Sequence, residues 1–138
     1  MSAITPLPPH GRKPPAAHEN DVLDRLAVAV ADTPATPAAL DPWRWTVRQH
    51  LIGVRDLLTA DTSCGTDGWL VARDATARRR CHALLARISR LGPQVLESPD
   101  PTGVRRELAR LVVDVRHHLQ RLHDLAYDEV ALELGGSD

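Results

Sequence analysis

Apolar positions in this chain recur by threes and fours, not by twos, in four stretches parted by proline- and glycine-rich breaks. Val22, Leu23, Leu26, Ala27 and Val30 predict a first short helix from Asn20 to Asp32, capped by Asn20 or Asp21. The stretch Thr33 to Pro42 breaks it. Asp41 followed by Pro42 pairs a capping acid with proline at the first helical position and predicts a second helix from Pro42 to Ala60. Its stripe is Trp43, Val47, His50, Leu51, Val54, Leu57 and Leu58. Small and turn-forming residues from Asp61 to Gly68 predict a loop. A third helix is predicted from Trp69 to the Gly92-Pro93 break, with a broken continuation towards Leu96. Its apolar face is Leu70, Ala77, Cys81, Leu84, Leu85, Ile88 and Leu91. After Ser98 to Gly103 the last and longest helix is predicted from Val104 to Leu134, closed by Gly135 and Gly136.

Single-sided stripes must bury against one another, and short connections make consecutive helices antiparallel. The expected fold is therefore all-α: an up-down bundle of four helices, the first one short. Residues 1–19 carry five prolines and almost no large apolar side chain, which predicts a disordered tail ahead of a single bundle domain over 20–138.

Composition narrows the class. The 138 residues hold three Trp, one Tyr and no Phe, and the apolar supply is mostly Leu, Ala and Val, a poor set for a β-sandwich. No run of apolar residues is long enough to span a membrane. Seventeen basic residues against eighteen acidic ones leave no excess positive charge to displace counterions, so nucleic acid is not expected as a partner, nor, without a span, is a membrane. The arginines of Arg78 to His82 fan around their helix and read as a solvated face. With no secretory hydrophobic segment at the N-terminus, the expectation is a cytoplasmic protein with Cys64 and Cys81 as free thiols.

Chemistry inside a bundle shows as polar residues on an apolar stripe. At about 100° per residue, His50 falls between Val47 and Val54, and His118 falls among Leu111, Val115 and Leu122. Asp114 lies on the margin of the same face, Asp74 on the face of the third helix, and Glu129 seven residues beyond Leu122. Buried imidazoles and carboxylates are costly unless bonded, paired or bound to metal. Each residue alone has a structural explanation: a core histidine, a first-turn acid, or an Asp114–His118 bond at i,i+4. Together they are the ingredients of a metal site between helices. Trp43 reads as core. Trp45 and Ile52 form a second face, to be covered by the first helix or by a partner.

The stretches WTVRQHLIGVRDLL and LARLVVDVRHHLQRLHDLAYDEVALELGG resemble the hemerythrin-like (HHE) family, four-helix bundles that hold a non-haem di-iron centre with inward histidines and carboxylates. His50 matches the family's histidine in its first long helix, and His118 matches that of its last helix. Where the family has a glutamate four residues after the latter, this chain has Leu122, and the family's paired His and Glu of the second helix have no counterpart. The resemblance therefore implies a degenerate member: a non-enzymatic module, with no cofactor expected, acting through a protein partner, a homo-oligomer or a remnant ligand pocket. Its alternative is a non-haem iron protein that binds oxygen or nitric oxide or handles peroxide, with His50, His118, Asp74, Asp114 and Glu129 as metal ligands. No nucleophile elbow, phosphate loop or HExxH motif points to a hydrolase or transferase.

Overall fold

In the computed structural model, residues 15–60 and 75–135 are described, with side chains described over 17–60 and 75–124. Four helices follow one another: α1 Pro15–Ala31, α2 Pro37–Ala60, α3 Ala75–Glu97 and α4 Pro101–Gly135. Each packs against the next, and α4 closes the ring against α1, whereas the diagonal pairs make no backbone approach among the described residues. This is the expected all-α up-down bundle with a short first helix.

Its core is aliphatic. Leu23 and Leu26 of α1, Val47, Leu51, Val54 and Leu58 of α2, Leu91 and Val95 of α3, and Leu108, Leu111 and Val115 of α4 are all essentially inaccessible to water. Burying a side chain of this size stabilises by about 1.5–3 kcal/mol, so the four stripes meeting on one axis drive the assembly. No helix of the described residues is long and apolar enough to cross a membrane.

Four helix boundaries differ from expectation, each for an identifiable reason. Helix α1 begins at Pro15, five residues inside the stretch expected as tail, and Glu19 is held there by His123. Residues 1–14 lie outside the described residues. Helix α2 begins at Pro37, not Pro42. Thr36-Pro37 offers the same cap-and-proline signal one turn earlier, with the Ala39 amide 3.3 Å from Thr36 Oγ1, and Pro42 is carried inside the helix. Helix α3 runs unbroken through Gly92 and Pro93 to Glu97. Leu91 and Val95 flank the proline and are both buried, so packing outweighs the one amide bond the ring removes. Residues 61–74, where the loop and the first turn of the third helix were expected, lie outside the described residues.

Helix α4 begins at Pro101, not Val104, on an Asp100-Pro101 cap. The Gly103 amide donates to Asp100 Oδ1 at 3.1 Å, and a methyl group at Gly103 would lie 2.4 Å from Asp100 Oδ2. The glycine leaves room for the capping carboxylate. Cys81, expected as a free thiol, is disulfide-bonded. The chain's other cysteine, Cys64, lies outside the described residues. The Cys81 sulfur sits buried 3.9 Å from the Leu58 carbonyl oxygen, and as a disulfide sulfur it has no proton to donate there.

Candidate functional site

The candidate ligands are spread over three different environments. His118 lies in the core of α4 with 3% of its surface exposed, as its place in the stripe requires. His50 does not join it. It is half-buried at the α1 edge of α2, where it lines an open depression with Thr46 of its own helix and Asp24, Arg25 and Asp32 from α1 and the turn after it. At about 100° per residue His50 falls within the stripe because Trp43 and Leu57 widen the apolar face on its side. The line of fully buried side chains runs through Val47, Leu51, Val54 and Leu58, so His50 is turned to one side of it, towards α1.

Asp114 is on the outside of α4, where its carboxylate accepts from the Arg87 guanidinium of α3 at 2.6 Å. That bond replaces the expected pairing with His118. Asp74 lies outside the described residues, and Glu129 belongs to α4 with its side chain outside them. His82 and His117 are exposed. Leu122, at the position where the family resemblance calls for a carboxylate, packs half-buried against the core. Among the described residues no three His, Cys, Asp or Glu side chains gather where one metal ion could reach them. A di-iron centre needs several imidazoles and bridging carboxylates converging on one point. The residues described do not fit one.

The polar links at the helix ends come from Arg44 and Arg105, which the sequence reading passed over, and from Trp43, which it read only as core. Arg44 is only 9% exposed, and its guanidinium donates to the Val95 carbonyl at 3.0 Å and the Ser98 carbonyl at 2.8 Å. Both oxygens belong to the last turn of α3 and the residue after it, where carbonyls lack helical partners and a cation is favoured by the helix dipole. Trp43 Nε1 donates to the Ala29 carbonyl at 2.8 Å, and Arg105 Nε donates to the Val30 carbonyl at 2.9 Å. These two side chains, from α2 and α4, close the end of α1, whose Val28 carbonyl is already taken by the Asp32 amide. A signal for Arg44 did exist. It precedes Val47, Leu51, Val54 and Leu58 at the same three-and-four spacing, a charged residue in line with the core stripe.

The outer seams carry ion pairs. Arg87–Asp114 at 2.6 Å and Arg90–Glu107 at 3.6 Å join α3 to α4. Arg116–Asp24 at 2.5 Å and His123–Glu19 at 2.7 Å join α1 to α4. Pairs this open to water contribute at most about 1 kcal/mol each, so they add little to what the core supplies.

Trp45 is 54% exposed, so the second face of α2 is not covered by α1, and Ile52 on it is only half-buried. Compared with protein-family models, with curated proteins and with solved structures, the chain matches none.

Proposed function

We propose that this chain is a non-enzymatic helical-bundle module that acts through contacts with other proteins. The observation that carries this is the dispersal of its candidate chemistry: His118 is in the core, His50 is on the α1–α2 seam, and Asp114 is bound to Arg87 on the outer surface. A catalytic or metal centre requires such groups to converge. The surface, in contrast, presents Trp45 on α2, Val28 on α1 and Val113 on α4 to solvent, each about half exposed or more. Descent from a hemerythrin-like bundle that exchanged a carboxylate for Leu122 is consistent with this reading. The disulfide at Cys81 runs against the free thiols that a reducing cytoplasm implies.

Metal analysis of the purified chain tests the proposal. The expected result is less than about one tenth of an iron per chain, with no oxo-bridge absorption after ferrous iron is added in air, because hard cations need several carboxylate oxygens at the site. Two irons per chain, lost on His50→Ala or His118→Ala, would overturn it in favour of the non-haem iron protein that handles oxygen, nitric oxide or peroxide.

A further inference from the structure

The outer face shared by α3 and α4 is a ridge of arginines. Two of them, Arg87 and Arg90, are tied to Asp114 and Glu107 across the seam. Those two bridges fix which sides of the helices meet there. Arg80 lies two turns before Arg87 and so on the same side of α3. Arg110 stands between the bridging acids, three residues after Glu107 and four before Asp114, and Arg121 lies two turns beyond Asp114. Arg80, Arg110 and Arg121 are exposed and have no hydrogen-bond or ion-pair partner among the described residues. The ridge therefore sets five arginines against three carboxylates, Asp114, Glu107 and, two turns beyond Arg90, the exposed Glu97, over about 20–25 Å of helix.

We infer that this ridge is a docking surface for an acidic polypeptide segment, an inference that rests on the protein-contact reading above. Charge complementarity selects the occupant. A guanidinium fork matches a carboxylate in two parallel bonds, and three forks here stand open. A second copy of this chain offers no matching row of open carboxylates on its other two helices. On α1, Glu19 is bound to His123, Asp24 to Arg116 and Asp21 to Arg25. On α2, Asp41 and Asp56 stand at opposite ends of the helix, and Asp56 lies against Arg55. Nucleic acid is a poorer match. The whole chain carries a net charge of −1, so the ridge's field is cancelled beyond a Debye length of about 8 Å. The exposed Trp45 that could stack a base is on α2, away from the ridge. An anionic membrane would need several apolar groups to insert beside the charges, and of the exposed large apolar side chains among the described residues only Val113 is on a ridge helix, Trp45 and Val28 lying on α2 and α1.

The test uses the intact chain and a fluorescein-labelled peptide of about 20 residues made of Glu and Ala, followed by fluorescence anisotropy. The native chain is expected to bind it, and to bind it severalfold more weakly as salt rises from about 50 to about 200 mM. Arg80→Glu with Arg110→Glu and Arg121→Glu is expected to weaken binding by about tenfold or more, since each reversal removes an attraction and adds a repulsion. The milder glutamine triple at the same positions is expected to weaken binding less, in the same direction, and serves if the glutamate triple fails to fold. Reversing Arg25, Arg48 and Arg55 on α1 and α2 makes the same change in net charge and is expected to leave binding within about twofold. Absence of binding by the native chain, or equal loss in both triples, would overturn the inference. So would tighter binding of a duplex DNA or of phosphatidylserine vesicles than of the peptide.

Discussion

The two ends of the bundle are held together by different means. At one end lie the last turns of α1 and α3 and the first turns of α2 and α4. There Trp43, Arg44 and Arg105 each reach across to a neighbouring helix and take up carbonyls of Ala29, Val95, Ser98 and Val30. Thr36 and Asp100 cap the two helices that begin at this end. At the opposite end the described polar link between helices is a single imidazole–carboxylate contact, His123 to Glu19. Buried Leu58 and the disulfide-bonded Cys81 pack there instead. One end is specified by hydrogen bonds of defined direction, and the other by apolar contact and a covalent bond. Directional bonds to backbone carbonyls tolerate no sliding of one helix past another, so the first end sets the register that the aliphatic core alone would leave loose.

The largest expected effect probes the apolar end. Leu58 is fully buried, and Leu58→Ala is expected to cost about 3–4 kcal/mol in urea unfolding, as a cavity-forming truncation does. A cost below about 1 kcal/mol would show that apolar packing does not hold that end and would dissolve the contrast.

Arg44 probes the other end. Arg44→Ala is expected to cost about 3 kcal/mol, because it deletes two charge-assisted bonds and leaves the Val95 carbonyl buried without its donor. Arg44→Lys is expected to recover less than half of this, since an ammonium cannot span both carbonyls as the fork does. Full recovery by lysine would reduce the role of Arg44 to a charge near a helix end.

Reduction of the disulfide comes next. If Cys81 secures the apolar end, a reductant is expected to lower stability by about 2–3 kcal/mol, the size typical of a native disulfide. Unchanged unfolding in reductant would leave the packing around Leu58 as the sole anchor there. At the hydrogen-bonded end, Gly103→Ala is expected to cost about 1 kcal/mol, because the new methyl group displaces the Asp100 carboxylate that caps α4.

The contrast between the ends also marks how far the sequence could be read. The stripes were legible, because helical spacing puts Val47, Leu51, Val54 and Leu58 on one side whatever the neighbours do, and all four are buried. Which flank of a stripe a residue takes was not. His50 and Arg44 sit on opposite flanks of the α2 stripe, one towards α1 and one towards α3, and only the arrangement of neighbouring helices separates them. The spacing of Arg44 with the core stripe hinted at its burial, but the two carbonyls it serves belong to the end of α3 and could not be read from α2 alone. The same holds for Asp114, whose true partner Arg87 is on another helix, while the local i,i+4 neighbour His118 points to the core. Local signals also compete: Thr36-Pro37 and Asp41-Pro42 both announce a helix start, and the upstream one prevails.

The smallest expected effect is the sharpest test of the contrast. His123 Nε2 lies 2.7 Å from Glu19 Oε2, with the His123 side chain 39% exposed and that of Glu19 18% exposed. Its distance is that of a strong hydrogen bond, but solvent reaches both groups, and open pairs couple by only about 0.2–1 kcal/mol. A double-mutant cycle with His123→Ala and Glu19→Ala isolates the coupling, because each single change also removes packing that the cycle cancels. A coupling of about 0.5 kcal/mol would leave the apolar end resting on Leu58 and its neighbours, as argued. A coupling above about 2 kcal/mol would mean that one polar latch holds the first turns of α1 against α4. The two ends would then be built on the same principle, and the register argument would apply to both.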